Sequence, residues 1–173
     1  MELQICHVGD QNGAPLFSVV RSGDLKRTAP VSLPSPVSFP VGDGAERGLL
    51  PRLRWYLEGY LQAPFGAYRQ SAQAVAETLQ AWGGAVFDRL FVGQAQNWYQ
   101  TARGQSFRDF RIKITSDSPE IMAWPWEALY SREDGYLALR FPVERQLSTA
   151  LGDPPPLPES LPQDALRILY VIP

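Results

Sequence analysis

Cys6 and His7 stand side by side near the amino terminus, and a thiol next to an imidazole is the pairing from which a cysteine hydrolase draws its nucleophile and its base. They are the chain's single cysteine and single histidine. In a strand, successive side chains point to opposite faces, so neighbours of this kind do not meet. The spacing therefore assigns Cys6 to the core as a small apolar side chain and His7 to a surface or edge. One cysteine excludes an internal disulfide, and one cysteine with one histidine falls short of a typical zinc site. No residue is assigned a catalytic, cofactor-binding or metal-ligating role, and no cofactor is expected.

The carboxylates Glu120, Glu127, Glu133 and Asp134 lie close together in sequence, but spacing alone gives no division into acid and base. Glu133-Asp134-Gly135 reads as a turn. Glu127 differs, because it sits among Trp124, Pro125, Trp126 and Leu129, where a buried carboxylate requires a specific donor. Its expected role is a structural hydrogen bond or ion pair, with an arginine of an adjoining domain as the candidate donor. The aromatic groups Trp55-Tyr56, Trp98-Tyr99 and Trp124 with Trp126 read as core packing rather than a ligand cage or base-stacking surface. Phosphate-loop, dinucleotide and nucleophile-elbow signatures are missing.

The elements that must position these groups follow from periodicity. Residues 3–8 and 16–20, separated by the turn formers Gly9 to Gly13, predict a β-hairpin. Pro30, Pro34, Pro36 and Pro40 predict an extended connector or an edge segment laid along a surface. Leu49, Leu53, Leu57, Tyr60 and Leu61 mark an amphipathic helix ending near Ala63-Pro64. Val75, Leu79, Trp82, Val86 and Leu90 mark a second, with Gly83-Gly84 predicting a bend or break, and a third covers residues 94–102. The period then changes to two: Phe110, Ile112 and Ile114 make one strand, residues 136–141 another, and a short helix at residues 124–129 lies between them. Pro154, Pro155, Pro156, Pro158 and Pro162 mark a linker, a spacer rather than a processing site. Leu166-Arg167-Ile168-Leu169-Tyr170-Val171-Ile172 reads as a central parallel strand buried on both faces, whose neighbours would have to follow it.

The expected fold class is α+β: an amino-terminal hairpin, two or three amphipathic helices and an antiparallel strand pair. The divisions are a hairpin and helical lobe at 1–104, a strand, Trp-Pro-Trp-Glu-Ala-Leu, strand unit at 105–147, a proline-rich linker at 148–165, and an unfinished strand at 166–173. The 173 residues carry sixteen Lys and Arg against eighteen Asp and Glu, a net charge of −2, so no excess positive charge points to nucleic acid. No apolar run reaches the roughly 20 residues that span a bilayer, and no signal segment opens the chain, so neither nucleic acid nor membrane is an expected partner and the cytoplasm is the expected location.

The ordered set Phe110-Arg111-Ile112-Lys113-Ile114-Thr115, Trp124-Pro125-Trp126-Glu127-Ala128-Leu129-Tyr130, Gly135-Tyr136-Leu137-Ala138-Leu139, Val143-Glu144-Arg145, a proline-rich spacer and the apolar strand at 166–172 resembles the lead-in of CHAT-domain proteins. These are caspase-like, clan-CD-type cysteine peptidases, mostly bacterial. The resemblance covers residues 107–173, and residues 53–90 are similar to helices that precede the lead-in in some members. It implies that the chain ends at the first strand of an incomplete caspase-like α/β domain, whose catalytic histidine and cysteine lie beyond it. An intact protein of this kind hydrolyses peptide bonds without a metal. This chain would then be a non-catalytic structural or regulatory flank, with Trp124, Trp126, Glu127 and Arg145 as structural or interface residues. Its partners would be the remainder of its own caspase-like domain and a protein substrate or activator.

Two other readings carry their own signs. An autonomous interaction or adaptor module would show an exposed apolar patch, and a small-molecule-binding domain would show a deep pocket lined by Trp124 or Trp126.

Overall fold

Asn12 and Gly13 both take the left-handed backbone conformation, at φ 52° and 76°, which a two-residue hairpin turn needs to match the twist of its strands. Gln11 therefore faces Ala14 directly, and the strands run through most of the region expected to be turn. The computed structural model describes residues 1–24, 26–42, 48–62, 64–104 and 110–148. Among these, the strands are β1 (Glu2–Gln11), β2 (Ala14–Arg21), β3 (Val31–Ser32), β4 (Arg111–Thr115), β5 (Tyr130–Ser131), β6 (Gly135–Tyr136) and β7 (Val143–Gln146). The main sheet has the order β3-β2-β1-β4-β7, and β5 pairs with β6 in a separate small ladder.

The hairpin partners are antiparallel, whereas β4 lies parallel to both β1 and β7. The hairpin at one end of the sequence and the strands after residue 110 thus share one sheet and one core. Leu3 and Ile5 on β1, Phe17 and Val19 on β2, and Ile112 and Ile114 on β4 are completely buried, which gives the sheet one continuous apolar face.

Four helices are described: α1 (Leu49–Glu58), α2 (Arg69–Leu90), α3 (Gln94–Arg103) and the short α4 (Pro119–Met122). The chain is α+β. The predicted break in α2 does not occur, and the reason is steric. A Cβ on Gly83 would lie 1.8 Å from the carbonyl oxygen of Ala128, so this glycine lets the helix approach the turn after Trp126. Helix propensity at Gly83 is traded for proximity, and the hydrogen-bonded turns continue through it.

The alternation at residues 136–141 is not a strand. Tyr136 ends β6, and Leu137–Leu139 form a 3-10 turn. The backbone N–H of Phe141 donates to the Leu137 carbonyl at 2.8 Å, which sets Leu137 and Phe141 on the same buried side while Leu139 stays 81% exposed. The strand that flanks β4 is β7, and the antiparallel pair of this region is β5 with β6. The proline-rich segment at 30–40 is an edge: β3 pairs with β2, and the carbonyl of Pro34 accepts a hydrogen bond from the Trp82 indole at 2.9 Å.

The linker beyond Ser148 and the apolar segment 166–173 lie outside the described residues. No helix among the described residues is long and apolar enough to cross a membrane.

Candidate functional site

Trp124 and Trp126 flank Pro125, and both rings turn inward. Their centroids are 5.5 Å apart in a stacked arrangement, and Phe17 of β2 sits 5.5 Å from each. Trp82 of α2 closes the cluster edge-on at 6.1 and 6.4 Å. The Trp126 indole donates to the Ile121 carbonyl at 2.8 Å, so its polar atom is satisfied in the interior. These tryptophans join the sheet to the helices, as core packing requires.

Glu127 faces outward from this cluster and is half exposed, not buried. Its donor comes from the same chain. Arg145 of β7 forms an ion pair with both Glu127 carboxylate oxygens, Nη2 reaching Oε2 at 2.7 Å. The same guanidinium donates from Nε to the Met122 carbonyl at 2.8 Å and from Nη2 to the Trp124 carbonyl at 3.1 Å. Burial pushes the Glu127 carboxyl up, but hydrogen bonds from Arg145 and a backbone N–H, with the Arg145 charge, outweigh it and hold the group below the usual carboxylate range. Arg145 is therefore a clamp that ties the edge strand to the Trp-Pro-Trp-Glu turn through the planar fork of its donors. All four expected structural residues meet in this unit.

Cys6 and His7 do lie on opposite faces of β1 and both are partly buried, but Cys6 is not on the face that carries the core. His7 shares the face of Leu3 and Ile5, and its ring is 5.4 Å from Phe17. Cys6 lies half-buried on the other face, in register with Ser18 and Thr115. Burial raises its thiol, against the opposing charge of Arg27, so the thiolate is disfavoured. The error has a clear cause, since alternation fixes only that the two differ, while the buried face is set by Leu3 and Ile5.

A bulge between His7 and Gly9 re-aims the end of β1, and Gly9 takes φ 121° there. His7 Nε2 lies 3.4 Å from Asp10 Oδ1, and Nδ1 lies 3.0 Å from Ser116 Oγ. A carboxylate only accepts, so the contact with Asp10 needs a proton on Nε2, while the direction of the bond between Nδ1 and the Ser116 hydroxyl follows from the tautomer. The order Ser116, His7, Asp10 has the residue types of a nucleophilic relay. Ser116 is nevertheless fully buried, and its oxygen also accepts the Ser118 N–H at 3.1 Å, which makes it a turn-fixing hydroxyl rather than an attacking one. Beside it, an open cleft of ≈ 610 Å³ is bordered by His7, Asp10, Glu120, Leu50 and Trp124 at the carboxyl ends of β1 and β4.

Asp134, expected only to form part of a turn, does more. Its side chain is wholly buried, accepting from Tyr99 Oη at 2.7 Å and Arg103 Nε at 3.1 Å and pairing with Arg140. Burial raises the Tyr99 hydroxyl, and Asp134 raises it further, so the phenol stays a donor. The sequence signal was Tyr99 and Arg103, four apart on one helix face.

Trp55 and Tyr56 are partly buried and pack against the edge of the core, Trp55 also meeting Tyr60 and Tyr68, and Tyr56 stacking on Tyr60. Among the described residues, no group of three or more His, Cys, Asp or Glu side chains could hold a metal ion. No family model, no curated protein and no solved structure matches this chain.

Proposed function

We propose that the chain is the non-catalytic amino-terminal flank of a caspase-like cysteine peptidase of the CHAT type, acting in the cytoplasm to support or regulate a catalytic domain that follows it. The observation that carries this reading is the Arg145 clamp. Phe110 to Thr115, Trp124 to Leu129 and Val143 to Arg145 carry the family resemblance, and β4, the tryptophan turn and β7 form one bonded unit. Residues separated by 18 to 23 positions are held through a single guanidinium. The parallel direction of β1, β4 and β7 suits a chain that continues into further parallel strands. In this reading the partners are the rest of the caspase-like domain and a protein substrate or activator.

The coding sequence after Pro173 tests the proposal. It predicts strands ending in a histidine and, later, a cysteine. A stop codon directly after Pro173 contradicts it.

One observation favours the second reading, an autonomous interaction module. Leu57, Leu61, Phe65 and Tyr68 form an exposed apolar stretch after the buried start of α1. The small-molecule reading has less support, because the cleft beside Trp124 is open and Trp124 itself is almost completely buried.

A further inference from the structure

The face of the main sheet turned away from the core carries the chain's single thiol. Cys6 stands directly opposite Ser18 on β2 and in register with Thr115 on β4, and side chains paired across strands in this way share one face. Ser18 is 1% exposed, and neither its hydroxyl nor that of Thr115 has a hydrogen-bond partner among the described residues. A hydroxyl taken out of water without a partner is costly, and the thiol between these two is a poor partner because its sulfur accepts only weakly. An oxygen placed on that sulfur would be a good one.

Charge points the same way. Arg27 is bridged to Val20, the next residue of β2 on this face after Ser18, and its guanidinium acts on the Cys6 thiol in the sense that favours a negative charge there. The carboxylates of this face are engaged elsewhere, Glu2 by Lys113 and Glu144 by Arg111, each at 3.0 Å. Cys6 is only half-buried, which leaves a way in for a small oxidant.

We propose that Cys6 is a site of oxidation by hydroperoxides, and that its sulfenic acid is held by hydrogen bonds with Ser18 and Thr115 beside the charge of Arg27. The sulfur attacks the terminal peroxide oxygen as a thiolate. The S–O bond forms as the O–O bond breaks, sulfur gives up two electrons, and the leaving oxygen takes up the proton lost by the thiol and departs as water or an alcohol. Burial keeps the thiolate scarce, so the oxidation is slow. Retention of the product is what the site is built for. The two hydroxyls gain a partner only after oxidation, and the chain has no second cysteine to convert the sulfenic acid into an internal disulfide. This chemistry is independent of the peptidase reading.

The test uses the full 173-residue chain, dilute enough to prevent disulfides between copies, with hydrogen peroxide as the oxidant. After catalase has destroyed the peroxide, samples are unfolded at intervals in dimedone, which traps sulfenic acid, and Cys6 is followed by peptide mass spectrometry. The expected result is slow formation of the Cys6 sulfenic acid, with a lifetime that falls several-fold when Ser18→Ala and Thr115→Val are combined. Arg27→Gln, at an exposed position that leaves the interior intact, shortens the lifetime as well. Oxidation is also expected to raise the thermal midpoint of the unaltered chain and to lower that of the Ser18→Ala, Thr115→Val variant, since only the former has hydroxyls to satisfy. Absence of a Cys6 adduct overturns the proposal, and so does direct passage to sulfinic acid with no lasting sulfenic stage. Equal lifetimes in the unaltered chain and the Arg27→Gln variant overturn it too, because an ordinary half-exposed thiol gives that result.

Discussion

Arg145 divides one guanidinium among Glu127 and the carbonyls of Met122 and Trp124. Its loss leaves two backbone acceptors without their donor, so Arg145→Ala costs about 2–3 kcal/mol, whereas Glu127→Gln costs about 1 kcal/mol because the carboxylate is half exposed. Thermal unfolding monitored by near-ultraviolet dichroism separates the two. Because the folded Glu127 carboxyl lies below its ordinary value of 4.5, its contribution is fully present above that value and disappears as the pH falls through the lowered one. Glu127→Gln should flatten the loss of stability on acidification below about pH 4.5. An unchanged acid limb contradicts the clamp. The need for a donor at Glu127 was legible from its apolar neighbours, but not which donor, since strand pairing places Arg145 there. The buried Asp134 was hidden for the same reason, because Glu133-Asp134-Gly135 has the composition of any solvated turn until α3 brings Tyr99 and Arg103 onto it.

The elements that the sequence pattern marks most clearly are those with local causes. Asn12-Gly13 dictates the hairpin, and the stripe from Val75 to Leu90 dictates α2. Misreadings arise where a tertiary contact decides. Gly83-Gly84 has the local signature of a break, yet Gly83 is a contact point with the Ala128 carbonyl and Gly84 has open space around its Cα. The two glycines should therefore respond oppositely. Gly83→Ala is expected to destabilise by about 3 kcal/mol or more as helix and turn are forced apart. Gly84→Ala is expected to stabilise by about 0.5–1 kcal/mol through helix propensity. Urea midpoints of the two variants check this, and equal shifts of the same sign would remove the packing explanation. The segment 136–141 failed for a related reason: Leu137 and Phe141 satisfy both alternation and a helical spacing of four, and burial selects the second.

Across the whole molecule, the α+β class follows from the change of period near residue 104, but the sheet does not. β1 and β4 are parallel neighbours more than a hundred residues apart, and no local pattern announces a pairing of that span. The exposure of Leu57 and Leu61 was equally illegible, because a helical stripe does not reveal whether a partner element covers its later turns. The chain's one thiol is protonated on the far face of β1 from its one imidazole, and the serine beside that imidazole is buried. The most direct measurement is reaction with a peptidyl electrophile that alkylates catalytic thiolates, applied to this chain and to the polypeptide extended past Pro173. The account predicts labelling of the extended polypeptide at a downstream cysteine, unaffected by Cys6→Ser, and none of the 173-residue chain. Rapid labelling of the 173-residue chain at Cys6, or an inert extended polypeptide, would contradict it.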